Sequence, residues 1–288
     1  MVVESIRFKM RLILKKPGAG KILAAIALNQ AKRLRLLRRQ RGGHRVLSGG
    51  IDSTLQKCTG DFERISAAIG IIEGKKGLEI GPGDNLGLAD FFLAAGAKSM
   101  NAVEQFPTVQ WSEDLHRRIW SRFGRMPDGR PELHVGKFEE SSLRDLDFIY
   151  SIDVMEHVAD PRQVIREAFK QLKPGGMFIN AVDFSGHNAF SMKSASLNFL
   201  ACEDWLYDLM HSHIVTSNRC RPGEFIDILR SEGFLVTSVV PTRQADDDYV
   251  RQVRPHLLPR FRDISVPELA LLEAMIVSRK PPGDGLAS

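Results

Sequence analysis

Cysteine is scarce in this chain of 288 residues. There are three, Cys58, Cys202 and Cys220, odd in number and widely spaced. That excludes a disulfide framework, supplies no zinc-binding pair, and fits reduced thiols in a cytosol. Long apolar runs are missing too. The longest near the start, Ile22 to Leu28, is seven residues, against the ~20 that a membrane-spanning helix needs. The first residues lack a sustained apolar region with a small-residue cleavage site, so no secretory signal is expected. Gly18, Gly20 and Lys21 lack the spacing of a P-loop, and no internal repeat is visible. What remains is the composition of an ordinary soluble protein, 43% hydrophobic and 26% charged, with length for one α/β domain plus additions. The expected location is cytoplasmic.

The net charge of +5 conceals an asymmetry. Residues 1–45 hold 13 Lys and Arg and a single acid, Glu4, a net +12, and the remainder carries −7. Basicity therefore belongs to an N-terminal arm, expected over residues 1–48, and the body that follows is mildly acidic. Such an arm favours anionic partners, phospholipid or nucleic acid. Residues 5–14 fit both strand and helix spacing. Residues 21–41 read as a helix with Leu23, Ala27, Leu34 and Leu37 near one face and Lys32, Arg33, Arg35, Arg38 and Arg39 over much of the rest. This pattern predicts peripheral contact with an anionic membrane, at its inner face, through residues 1–45.

A main domain is expected over residues 49–282, opened by a helix from about Asp52 to Ile69. From Lys75 strands and helices alternate. Strands are read at 76–81, 99–104, 132–136, 147–152, 177–183, 234–241 and 272–279, and helices near 85–95, 111–122, 161–172 and 222–232. Repeated β-α units argue for a mainly parallel, doubly wound α/β sheet of Rossmann-like kind. Residues 186–221 interrupt the rhythm with an aromatic-rich helical insertion after the fifth strand, and 283–288 read as a flexible tail.

The strongest local signal is Leu78-Glu79-Ile80-Gly81-Pro82-Gly83-Asp84. An apolar strand runs into a Gly-x-Gly turn ahead of a helix. Glycines there let a ligand approach the backbone without meeting a Cβ. A dinucleotide enzyme, or a tight turn with no ligand, would also tolerate the pattern. Glu104 ends the second strand about 20 residues past the loop, where an acid can accept hydrogen bonds from ribose hydroxyls.

With these motifs, residues 76–185 resemble the core of the class I S-adenosylmethionine-dependent methyltransferases, close to the broad bacterial type 11 group. The match runs through Leu78 to Gly83, Glu104, Asp153-Val154-Met155-Glu156-His157-Val158 and Leu172-Lys173-Pro174-Gly175-Gly176. The resemblance implies a seven-stranded sheet with one antiparallel strand near the C-terminal edge. It implies S-adenosyl-L-methionine as cofactor, with Gly81 and Gly83 along its amino-acid portion, Glu79 on its ammonium directly or through water, and Glu104 on its ribose. One position departs from the pattern. Where the family commonly has Gly-Asp after the third strand, the Asp meeting the adenine amino group, this chain has Gly136-Lys137-Phe138-Glu139. Lysine has no acceptor, so adenine recognition falls to backbone groups, Phe138 or Glu139.

His157 is the one histidine expected as a general base, since its ordinary pKa lies near 6.5. The alternative is that the Glu156-His157 pair fixes the loop. Some relatives use Asp/Glu-x-x-Glu-His to hold a divalent ion for a diol-like substrate, and Asp153, Glu156 and His157 match that spacing, but metal-free relatives share it, so no metal is assigned. His187, Asn198, Trp205, Tyr207, Asn218 and Arg221 are candidate acceptor contacts. His211 and His213 read as surface histidines, and Asp246 to Asp248 as a solvated loop. The expected function is methyl transfer to a small-molecule, sugar or lipid-linked acceptor. An RNA methyltransferase that uses the basic arm, and a methyltransferase-like binding module without turnover, stay open as alternatives.

Overall fold

The structure is a computed structural model that describes residues 19–33, 49–187, 196–211 and 217–283. Its centre is a seven-stranded sheet in the order β3-β2-β1-β4-β5-β7-β6. The strands are β1 (Lys76–Ile80), β2 (Ser99–Glu104), β3 (Glu132–Val135), β4 (Leu146–Ile152), β5 (Leu172–Asp183), β6 (Leu235–Gln244) and β7 (Leu271–Arg279). The first five pair in parallel, and β7 runs antiparallel to both β5 and β6. The seven strands and the lone antiparallel one agree with the expectation. The central strands β1 and β4 are buried along almost their whole length, as a parallel sheet covered on both faces requires.

The helices in chain order are α1 (Ala19–Arg33), α2 (Ile51–Ile69), α3 (Gly87–Ala94), α4 (Glu113–Phe123), α5 (Pro161–Gln171), α6 (Asp204–His211), α7 (Pro222–Ser231), α8 (Asp247–Val253), α9 (Pro259–Arg262) and α10 (Val266–Ala270). Their ends follow local chemistry. Ser112 accepts the Leu115 N–H at the start of α4, and Gly124 closes it at φ 63°. Asp160 caps α5, with Pro161 in the first turn. One apolar cluster lies between the sheet and α2, α3 and α4, centred on Phe91, Phe92, Phe148 and Tyr150. A second, with Ile149, Ile165, Phe178 and Phe225, fills the space toward α5 and α7. The sheet is thus covered on both faces.

Three expectations change. The fifth strand, read at 177–183, starts earlier: Leu172 to Gly176 lie inside β5, which carries a register shift opposite Leu146 and Phe148. Gly175 there takes φ 77°, and its N–H donates to Lys280 and Pro281 carbonyls. The connection between β6 and β7 carries α8, α9 and α10, and Asp246 caps α8 by accepting the Asp248 and Tyr249 N–H groups. It forms a third apolar cluster with the insertion, in which Leu197, Phe199, Leu200, Tyr207 and Met210 meet Val250, Val253, Leu257 and Phe261.

The third change concerns the arm. Helix α1 is docked on this cluster, with Ile22, Ala25 and Ile26 against it. Buried Asn29 donates its side-chain amide to the Leu209 carbonyl at 2.9 Å. The face that carries Leu23 and Ala27 points outward, and the opposite face docks. This stretch of the arm belongs to the body. Residues 1–18, 34–48 and 284–288 lie outside the described residues, and with them the 5–14 segment, the second half of the expected 21–41 helix and most of the tail.

Candidate active site

Parallel strands bring their C-terminal ends to one edge, and the crevice opens where the order reverses, between β1 and its neighbours. The conspicuous residues of the sequence gather there. After β1 the chain turns through Gly81 and Gly83 at φ 70° and 78°, a region that side-chain-bearing residues avoid. A Cβ on Gly81 would lie 2.6 Å from Cγ2 of Val154, which follows β4. The two loops approach so closely that only glycine fits. Asn85 then accepts the Gly87 N–H at 2.9 Å and starts α3.

Glu104, at the end of β2, reaches across to this loop. One carboxyl oxygen accepts the Gly83 N–H and the other the Phe106 N–H, each at 3.1 Å. Thr108 adds a hydroxyl bond to the Gly83 carbonyl at 2.7 Å, and the Gln110 N–H one to Asp84 at 2.8 Å. Burial raises the Glu104 pKa, and these N–H groups offset part of the rise. The carboxyl keeps lone pairs for a further donor, so the acid predicted for the ribose is braced by the glycine loop itself.

Glu79 is buried at the far side of the loop, where the Tyr150 hydroxyl donates to it at 3.1 Å. Desolvation pushes its pKa up to about 8, against the downward pull of that hydrogen bond. A cation beside it would offset the desolvation, as the ammonium of the cofactor's amino-acid portion would. Burial also pushes the nearby Cys58 thiol up to about 12, so it packs and does not react.

Phe138 is placed otherwise than expected. Its ring is buried in the second cluster among Leu78, Ile80, Val103 and Ile149, because the turn after Gly136 drives it beneath the sheet edge. It has no ring face to offer an adenine. Lys137 precedes the short turn Phe138–Glu140, and the Gly136 N–H is held by the Glu104 carbonyl at 2.9 Å.

The loop after β4 supplies the acceptor side. Asp153 takes φ 54°, its N–H donates to Ala181 on β5, and its carboxylate faces Lys57 at 3.5 Å. His157 stands against His187, which follows β5, with ring centroids 5.0 Å apart and edge to face. His187 Nε2 lies 3.7 Å from Asp183, which Arg243 of β6 holds at 2.7 Å. Glu156 is buried, with no well-formed hydrogen bond to its carboxyl oxygens. Desolvation raises its pKa well above the ordinary value, the charges of Asp153 and Asp183 add to the rise, and N–H groups nearby only partly oppose it. No group that could hold a metal occurs among the described residues.

The insertion residues separate into roles that spacing did not reveal. Asn218 donates to the Met155 and Val158 carbonyls at 2.7 and 2.9 Å, and its backbone N–H donates to Glu156. It clamps the turn that carries His157. Arg221 is fully buried and donates to the carbonyls of Phe184, Leu269 and Leu271, tying β5 to β7, and burial lowers its pKa to about 10. The Tyr207 hydroxyl is spent on Ser217 at 2.8 Å, Asn198 is buried beside Tyr249, and Trp205 faces outward. Of the six candidate contacts only His187 joins the site. His211 is buried, with Nδ1 2.8 Å from the Tyr207 carbonyl, and so is no surface histidine. His213 lies outside the described residues.

A sequence profile described as a methyltransferase domain matches residues 52–239. No curated protein matches the sequence. Among solved structures, geranyl diphosphate C-methyltransferase from Streptomyces coelicolor A3(2) has TM-score 0.50 and 12% identity, over 86% of this chain and 88% of that one. Phosphoethanolamine N-methyltransferase 2 from Haemonchus contortus has TM-score 0.49 and 14% identity, over 77% and 52%. An S-adenosylmethionine-dependent methyltransferase from Mesorhizobium loti has TM-score 0.46 and 15% identity, over 80% and 100%. From the strand order, the glycine turn braced by Glu104 and a profile covering more than half its length, the chain belongs to the methyltransferase-domain family, S-adenosylmethionine-dependent enzymes of class I fold.

Proposed function

We propose that the chain moves a methyl group from S-adenosylmethionine to a hydroxyl of a small-molecule, sugar or lipid-linked acceptor. The observation that carries this reading is the pairing of His157 with His187 at the ends of two adjacent strands, on the edge that also holds Gly81, Gly83 and Glu104. The cofactor supplies an electrophilic methyl on a positively charged sulfur. Glu79 meets its ammonium, Glu104 its ribose, and the turn backbone at Lys137 to Glu139 its adenine. Positioning supplies most of the rate in such a displacement. A hydroxyl acceptor also has a proton to lose, and His157 accepts it as the carbon–oxygen bond forms. Asn218 keeps the His157 turn in place, and the His187 ring stands edge to face against His157.

The test has two steps. Cell extract is incubated with the protein and methyl-labelled cofactor, and the labelled product is identified. The proposal expects the label on oxygen, and a methyl on nitrogen or carbon overturns it. His157→Ala should then cut single-turnover transfer roughly 100-fold or more while cofactor affinity and melting temperature hold. A joint loss of stability, binding and turnover would assign His157 to the loop alone.

A further inference from the structure

Helix α1 is apolar on both sides. Its inner residues Ile22, Ala25 and Ile26 pack on the third cluster. Its outer residues do not: Leu23 is 65% exposed and Leu28 44%, with Ala24 and Ala27 exposed one turn from them. Soluble helices normally turn a charged face outward. Helix α6, packed beside α1, also carries exposed apolar residues. Trp205 is 68% exposed and Leu209 36%, one turn apart on the same helix. The Asn29 amide bonded to the Leu209 carbonyl joins the two helices at that point, next to Leu28.

We propose that this face of α1 and α6 is a docking surface for an anionic membrane. Charge selects the occupant. Lys21 is exposed on α1, and the segment 1–45 around the helix carries +12 while the rest of the chain carries −7. Basic sequence before and after a helix with exposed leucines, packed on a helix with an exposed tryptophan, combines the two forces that hold a peripheral protein on anionic lipid. Glu203 and Asp208 are exposed near Trp205 and limit the attraction on that flank. Asp204 is already paired with Arg219 and Arg260. The leucines distinguish a bilayer from nucleic acid, which offers no apolar interior to bury them. The surface lies on the cluster formed by the insertion and the β6–β7 connection, both of which leave the sheet at its acceptor edge. The docking itself does not depend on the methyl-transfer reading, so failure of one is separable from failure of the other.

The experiment uses the full chain with phosphatidylcholine vesicles, with and without phosphatidylglycerol. Co-sedimentation should require the anionic lipid and weaken with salt. Tryptophan emission should shift to the blue on binding, and Trp205→Phe should abolish the shift, because Trp120 is buried and Trp111 is stacked on His116. Leu23→Glu with Leu28→Glu should weaken vesicle binding roughly tenfold or more. Leu23→Ser with Leu28→Ser serves as a milder pair. All these sites are exposed, and an unchanged melting curve verifies the fold. Absence of binding at low salt overturns the proposal. So does vesicle binding that both leucine pairs leave unchanged. It is equally overturned if the leucine pairs abolish self-association of the chain, or retention on RNA, with no vesicle binding to lose.

Discussion

Binding of S-adenosylmethionine should expel a proton from Glu79. In the free protein this carboxyl is buried and its pKa is pushed up to about 8 from 4.5. At pH 7 a group with that pKa is about nine-tenths protonated. The cofactor's ammonium favours the ionised form, so its arrival should release close to one proton. Affinity should accordingly rise with pH by up to about tenfold between pH 6 and 7, and level off near 8. The same linkage acts on folding, with a definite sign. The free protein is most favoured below the unfolded value, where both states carry the proton, and loses stability as pH rises toward 8. At pH 7 that loss is on the order of 3 kcal/mol. Calorimetric titration at pH 7, repeated in buffers of different ionisation enthalpy, counts the proton directly. Glu79→Gln should abolish both the release and the pH slope of affinity, and should flatten the pH dependence of melting over the same interval. No proton exchange in the wild type, or the same exchange in Glu79→Gln, would refute the assignment of Glu79 to the ammonium.

Other residues give separate readouts. Glu104→Ala should weaken cofactor binding by about 1–3 kcal/mol and also lower the melting temperature, because the Gly83 and Phe106 N–H groups lose their acceptor. Titration calorimetry beside differential scanning fluorimetry measures both. Gly83→Val should do more harm to binding, since φ 78° disfavours a branched residue. Arg221→Met should lower stability by about 2–4 kcal/mol, because three buried carbonyls lose their donor. Cofactor affinity should be unchanged in that variant, as measured by denaturant unfolding and titration on the same sample.

The sheet was readable in the sequence because its central strands are buried on both faces and stand out as apolar runs between glycine turns. Glu104 was readable from chain distance alone, and the structure gives that distance its reason: the carboxyl spans from β2 to the Gly83 N–H. The β6–β7 connection was not readable. Its helices are four to seven residues long, too short for a periodic signal, and they form only by packing on the insertion. Phe138 was one of three candidates for the adenine, beside backbone groups and Glu139, and its burial in the second cluster is set by partners distant in sequence. Asn218 and Arg221 misled, since polar residues in an insertion suggest a ligand. Their partners are backbone carbonyls far away in sequence, which no local pattern reveals. For α1 the periodicity was ambiguous, since Ile22 to Leu28 is apolar throughout, and buried Asn29, bonded to the Leu209 carbonyl, lies on the side that docks.

The central claim is that the cofactor lies against the Gly81–Gly83 turn, between Glu79 and Glu104. A crystal structure with S-adenosylhomocysteine tests it most directly. The ribose hydroxyls should lie on the Glu104 carboxylate, the amino group near Glu79, and the sulfur should face His157 and His187. Density for the nucleoside elsewhere, or ribose hydroxyls without contact to Glu104, would contradict it.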